Sequence, residues 1–277
     1  MYNKKGRIVK KTVSYLILLV VAVVSIVPFL YVFTIATKNP SEAFSSSINL
    51  SYSFTWENFE QLWVHDNFAV YLKNSMVVTI ACMLISVPIA TLAAYGLIRH
   101  ESKFSNALLN GMLGLRMFPP MLLLIPFFLL ATNLKLTDTY FVLILIIVAS
   151  NQPFAIWLMR GFLISLPKEL DEAARIDGCG MLKTVTRVIF PLSMPGIGTA
   201  SIFTFLLSYN EYLFALVLSG KNTMTLPVAV GKYAAEELVY WCNNAAGVVS
   251  IILPICIIMV FLQKWLVKGI TAGAVKG

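Results

Sequence analysis

Long apolar blocks constrain this chain more than any other feature. Six of them, at 13–36, 70–98, 108–130, 140–162, 195–218 and 246–267, are near or above the roughly 20 residues that carry a helix across about 30 Å of hydrocarbon. Backbone groups in lipid must be satisfied within their own segment, and membrane strands would alternate over about ten residues, so the blocks are predicted to be helices. The expected fold class is therefore an all-α polytopic membrane protein with six transmembrane helices. Only 12% of the residues are charged, where a water-facing globular domain carries about a quarter.

The first block follows Lys4, Lys5, Arg7, Lys10 and Lys11. Its apolar run is longer than the 7–15 residues of a secretory h-region, and another span follows, so an uncleaved helix is expected. The formal charge of +8 is informative through its placement. With the amino end inside, the inner segments hold those five together with Arg99, Lys103, Arg160, Lys168, Arg175, Lys183, Arg187, Lys264, Lys268 and Lys276. The outer segments hold Lys38, Lys73, Lys135, Lys221 and Lys232. This bias puts both termini in the cytoplasm and makes lipid, not nucleic acid, the partner of the basic charge. The organisation expected is a basic tail (1–12), one transmembrane domain (13–268) and a cytoplasmic tail (269–277).

Cys82, Cys179, Cys242 and Cys256 are scattered over two spans and both faces, and His65 and His100 lie on opposite sides. Neither a disulfide framework nor a metal site is expected. The outer segment 38–73, with Trp56, Phe59, Trp63 and Phe68 among polar residues, reads as interfacial. Every span contains proline, and Pro119, Pro120 and Pro126 make the third the best candidate for a broken helix. No internal repeat divides the spans into matching halves, which argues against a self-sufficient secondary transporter.

The inner segment 165–191 reads S-L-P-K-E-L-D-E-A-A-R-I-D-G-C-G-M-L-K-T-V-T-R-V-I-F-P. Pro167 suits a helix's first turn, Glu169 and Asp171 its positive end, and Gly178 its termination. At spacings of three and four, Leu166, Leu170, Ala173, Ala174 and Asp177 share one face, and Asp171 can pair with Arg175 across a turn. Two alanines beside a leucine make a low surface, suited either to a groove on another protein or to packing on the chain's own helix ends. The residues alone leave both open.

Glu172, Ala173 and Ala174, then Gly178, then Val188, Phe190 and Pro191 resemble the E-A-A, G, I-x-L-P signature of binding-protein-dependent ABC importer permeases, with Val188 and Phe190 replacing the usual Ile and Leu. The resemblance extends through Asn74–Ser75, R-M-F-P-P from Arg116, P-F-A-I-W-L-M-R-G-F from Pro153, Asn210–Glu211, T-L-P-V from Thr225 and the tail from Gln263 to Gly277. It narrows to the carbohydrate class and to the second membrane subunit of maltose-type transporters. Cys242 stands where the family commonly has glycine.

The resemblance implies that 165–191 holds a coupling helix between the fourth and fifth spans. Glu172 and Asp177 would meet polar groups of an ATPase, Ala173 and Ala174 would permit close approach, Gly178 would allow the turn, and Lys276 and Gly277 would contact the ATPase pair. It also implies a homologous second permease, two ATPase subunits or domains, an extracytoplasmic solute-binding protein, and a bacterial-type cytoplasmic membrane. The chain has no G-x-x-x-x-G-K-[ST] phosphate loop, so ATP and Mg would be held by the partner ATPase.

Within the fifth block Glu211 follows Ser208, Tyr209 and Asn210. A charged carboxylate at mid-membrane costs about 2.5–3.5 kcal/mol, so it should face a cavity or a polar partner. Asn and Glu can grip sugar hydroxyls while Tyr stacks on a ring face, which makes Tyr209, Asn210 and Glu211 candidates for the substrate pathway. A buried network within the bundle is the plainer alternative. Asn151 and Gln152 are weaker candidates for the same lining, with helix-to-helix bonding an equal reading. Arg116 is expected to snorkel or to pair with a partner subunit. A proton-driven carrier using Glu211, or a membrane enzyme, are the competing classes; no nucleophile, base or ligand cluster gathers at one depth to support the latter.

Overall fold

A proline doublet breaks the third block, whereas single prolines inside other spans leave them continuous. A computed structural model describes residues 4–43, 52–100, 102–235 and 240–274. Among them the secondary structure is helical, with no strand. Helix α1 (Lys4–Ala36) continues through Pro28, α2 (Phe68–Arg99) through Pro88, and the third block does break. There α3 (Lys103–Arg116) and α4 (Pro120–Asn133) meet at 91°. Pro119 has ψ 122 and Pro120 opens α4; a proline disfavours helical geometry in the residue before it, so the doublet stops one helix and starts another. Helix α5 (Tyr140–Leu163) accommodates Pro153.

The predicted 165–191 loop is largely helical. It contains α6 (Glu169–Ile176) and then Met181–Leu192, whose middle widens into a π-type turn at Val185–Ile189. That segment bends by 80° into α7 (Met194–Tyr209), with Pro195 in its first turn. The fifth block, expected as one helix over 195–218, is interrupted: α7 ends at Tyr209 and α8 (Leu213–Leu218) resumes after three residues. Helix α9 (Leu226–Ala235) lies between the fifth and sixth blocks. Helix α10 (Trp241–Ala274) extends beyond 246–267 at both ends, just as α1 begins at Lys4, so neither 1–12 nor 269–277 is wholly a separate tail. Four described helices are long and apolar enough to cross a membrane, and up to six crossings result if each bent pair counts as one.

By internal packing the chain divides into two units, where the sequence suggested one domain over 13–268: Met1–Phe68 with Val230–Leu253, and Ala69–Ala229 with Pro254–Gly277. The first is tied by polar contacts of its own. Asn58 donates to the carbonyls of Ala36 and Lys38 at 2.9 and 2.8 Å, Tyr233 donates to Asp66, and the Trp63 indole donates to Ser250. The apolar side chains of α1 over 13–31 are exposed.

The second unit has two apolar clusters, and α2 runs through both. Val78 and Cys82 join Ala131, Leu143, Ile147, Phe214 and Leu218 in one. Val87, Ala90, Ala94, Tyr95 and Ile98 join Leu109, Ala155, Met159, Leu163, Ile189 and Ala200 in the other. Lipid tails are as apolar as leucine, so helices in a membrane gain little from burial itself and associate through close van der Waals packing. Small residues make that possible. At Gly196 of α7 a Cβ would lie 2.7 Å from the Phe162 Cβ of α5, which shows how closely the two helices approach.

Candidate functional site

Helix α6 has two unlike faces, because Asp171 is drawn inward. Asp171 is 7% exposed. Its Oδ1 accepts from the Tyr95 hydroxyl at 2.5 Å, and its Oδ2 lies 2.6 Å from Arg99 Nε. Tyr95 and Arg99 are one turn apart near the end of α2, so both reach the same neighbour, and the guanidinium sits 5.7 Å from the Tyr95 ring centre. Arg99 also points at the carbonyls of Leu166 and Pro167, at 3.4 Å, where the chain enters α6. The carboxylate thus pairs with α2 and not with Arg175, which is exposed. The longer reach across elements wins because Arg99 is largely shielded from water and buried Tyr95 answers the charge with a second donor.

Fixing Asp171 also turns Ala174, three residues on, to 5% exposure. Glu172, Ala173, Ile176 and Asp177 face outward. The expected shared face of Ala173, Ala174 and Asp177 is therefore split, and Leu166 precedes the helix instead of lying on it. Ile176 is 86% exposed, with Met181 and Leu182 also exposed beyond the turn. The end of α6 is closed by paired bonds, Gly178 N to Arg175 O and Cys179 N to Ala174 O, with Gly178 at φ 76. This capping needs a left-handed residue at that position, which glycine adopts without a Cβ penalty. Among the described residues, no packing neighbour lies within 4 Å of where a Gly178 Cβ would stand.

The second candidate group surrounds the break between α7 and α8. Tyr209 is 1% exposed and stacks on Phe205 at 5.5 Å. Asn210 is exposed and its amide donates to Leu206 O at 2.8 Å, closing α7. Glu211 is half-buried, and its Oε1 accepts from Phe214 N at 3.1 Å. The break leaves the first N–H groups of α8 without helical acceptors, and this carboxylate supplies one. Gln152 is engaged with α2: it accepts from Ser86 Oγ at 2.8 Å and donates to Ser86 O at 3.2 Å. Asn151 keeps a buried Nδ2 with no acceptor among the described residues. Arg116 lies over the Phe154 ring at 4.6 Å. Lys276 and Gly277 lie outside the described residues.

Residues 86–272 match the family described as binding-protein-dependent transport system inner membrane component. The chain belongs to this family. A probable ABC transporter permease of Sinorhizobium fredii is 33% identical over 99% of both chains. The trehalose/maltose transport system permease protein of Thermococcus litoralis is 32% identical, again over 99% of both. A bacterial ABC transporter involved in import of the acidic polysaccharide alginate has the same fold, with a TM-score of 0.75 and 22% identity over 95% of this chain and 98% of that one.

This permease also contains a clasp that no sequence motif announced. Asp138 has φ 57, and its Oδ1 accepts from Gly220 N (2.8 Å), Thr223 N (2.9 Å) and Thr223 Oγ1 (2.8 Å). Its Oδ2 accepts from Asn222 N at 3.1 Å and Asn222 Nδ2 at 2.8 Å. Burial alone would push this carboxyl up, but the bonds from Thr223, Asn222 and Gly220 together hold it below the ordinary aspartate value. Alongside, Asn74 Nδ2 donates to the carbonyls of Asn222 and Met224 at 3.1 and 2.9 Å, and Tyr140 donates to Asn74 Oδ1 at 2.6 Å. Ser75 Oγ accepts from Leu226 N at 2.7 Å, at the start of α9. Asn74 and Ser75 figured in the resemblance without a role, and Asp138 gave no signal at all. Its acceptors and donors are more than 80 residues apart in sequence.

Proposed function

We propose that this permease is the membrane subunit through which a sugar or oligosaccharide, released by an extracytoplasmic solute-binding protein, enters the cytoplasm by alternating access. In this reading α6 is the coupling helix, seated in a cleft of a cytoplasmic ATPase subunit that holds ATP and Mg. A homologous second permease completes the pathway. The observation that carries the reading is the two-faced packing of α6. Asp171 and Ala174 anchor it to its own chain, while Glu172, Ala173, Ile176 and Asp177 are left for another surface. The trehalose/maltose relative supports the sugar class.

The six crossings proposed are α1, α2, the α3–α4 pair, α5, the α7–α8 pair and α10, with both ends in the cytoplasm as the charge bias indicates. Helix α7 has 16 residues, about 24 Å at 1.5 Å per residue, short of a full crossing, and α8 supplies the remainder. The break between them brings Tyr209, Asn210 and Glu211 to one level, where irregular backbone is tolerated if it borders a polar cavity. Asn151, with its unanswered amide, is proposed for the same lining. The tail including Lys276 and Gly277 is assigned to the ATPase side. As a permease subunit the chain is not itself an enzyme.

Gly178 tests the coupling role. No atom of the described residues opposes a side chain there, so apart from the backbone strain that positive φ puts on a non-glycine residue, harm from bulk comes from outside the chain. Gly178→Asn, which tolerates positive φ, should leave ATP hydrolysis coupled to the binding protein. Gly178→Trp should insert normally and lose that coupling. Wild-type coupling in Gly178→Trp would sink the assignment.

A further inference from the structure

We infer that α2 is a strut that carries movement of the coupling helix to the outer loop 219–226, through a polar clasp at each of its ends. The inference rests on the proposed coupling role of α6. At one end Tyr95 and Arg99 hold Asp171 of α6. At the other Asn74 takes the carbonyls of Asn222 and Met224, and Ser75 takes the N–H of Leu226. Ser75 and Arg99 lie on one continuous helix, roughly 36 Å apart at 1.5 Å per residue. A segment that is bonded at both ends and rigid between them transmits displacement, which separate local contacts do not.

Two features stiffen the span between the clasps, and a third fixes the loop beyond it. One apolar cluster grips α2 before Pro88, at Val78 and Cys82, and the other spans that proline, from Val87 to Ile98. The paired bonds between Ser86 and Gln152 brace it to α5 next to that proline, where the lost backbone bond would otherwise permit bending. The outer loop cannot swing away from the clasp on its own, because Asp138 holds Gly220, Asn222 and Thr223. Close packing at Gly220 leaves no slack, since a Cβ there would lie 2.7 Å from the Asp138 Cγ. The sequence neighbours α5 and α7 also lead from α6 toward this loop, through Asp138 and Leu218, and the α2 link adds a direct path bonded at both of its ends.

The test uses the complete transporter in liposomes, with the native cysteines replaced and a spin label at Lys221, which is exposed beside the clasp. ATP with vanadate, and no binding protein, drives the change from the ATPase side. The unmodified clasps should give a label shift on trapping. Asn74→Ala, at the outer clasp, should cut the shift by about half or more while ATP hydrolysis stays within about twofold of the parent. Asp171→Asn, at the inner clasp, should reduce the shift similarly, and the double variant should be no worse than either single one, because both cut one path. Arg99→Lys, which keeps the charge, should retain more of the shift than Arg99→Gln. Ser75→Ala, which removes one hydroxyl, replaces Asn74→Ala if that variant fails to assemble.

A full shift with either clasp cut, or losses that simply multiply, would overturn the strut. Gly178→Trp separates the two readings. If it abolishes the shift while clasp variants keep it, the strut alone falls; if it leaves the shift intact, the coupling role of α6 falls first.

Discussion

Asp171 puts a buried negative charge beside α2 that is answered by Arg99 and Tyr95, with side chains 10% and 12% exposed for the aspartate and arginine. Removing one partner of such a pair leaves an uncompensated charge and costs about 3–5 kcal/mol, whereas replacing both with apolar groups of similar size is near neutral. Arg99→Met should therefore lower the thermal denaturation midpoint of the purified transporter sharply, and adding Asp171→Leu should recover most of the loss. An additive pair would contradict the ion pair. At Asp138 the native carboxyl sits below its unfolded value, so its stabilisation is complete above about pH 4 and is lost as the pH falls through the native value. Melting curves from pH 7 to pH 3 should show a larger acid-side drop for the natural chain than for Asp138→Asn, which lacks that titration. Equal slopes would mean the carboxylate is not what holds the loop.

Helices here are placed by contact distance more than by hydrophobicity. The α5–α7 approach allows no Cβ at residue 196, where Phe162 Cβ would be met at 2.7 Å. Because the obstructing atom is next to the backbone, it cannot swing aside, and Gly196→Ala should cost about 1–3 kcal/mol by overpacking. A midpoint within error of the parent would show that the two helices can separate freely. The break between α7 and α8 has a different cause. Asn210 closes one helix by bonding back to Leu206, and Glu211 opens the next by accepting from Phe214 N. A residue singled out from the sequence as a candidate for the substrate pathway thus also caps the start of α8.

Across the whole molecule, the 69–229 unit joins its two polar clasps through one helix, and the functional proposals depend on that continuity. Coupling at Gly178 and label movement at Lys221 are measured at opposite ends of this path, so a Gly178→Trp transporter should lose both together. A variant that lost ATPase coupling yet kept the outer-loop response to trapping would mean the ends communicate by another route. In the 1–68 and 230–253 unit, α1 keeps its apolar side chains exposed over 13–31, consistent with the lipid-facing character that its composition demands.

The sequence by itself determined the helical class, because apolar blocks of this length have no other satisfied backbone in lipid. It located the Pro119–Pro120 break and the glycine end of α6, since both follow from local backbone rules that need no neighbour. Only the tertiary structure decided how α6 is turned, because Asp171 has a local candidate in Arg175 and a distant one in Arg99, and burial selects between them. The interruption at Asn210 was equally hidden, as neither proline nor glycine marks it. The Asp138 clasp and the two-ended attachment of α2 join residues about 70 to 150 positions apart; helical periodicity reports neighbours at three and four residues and carries no information at that range.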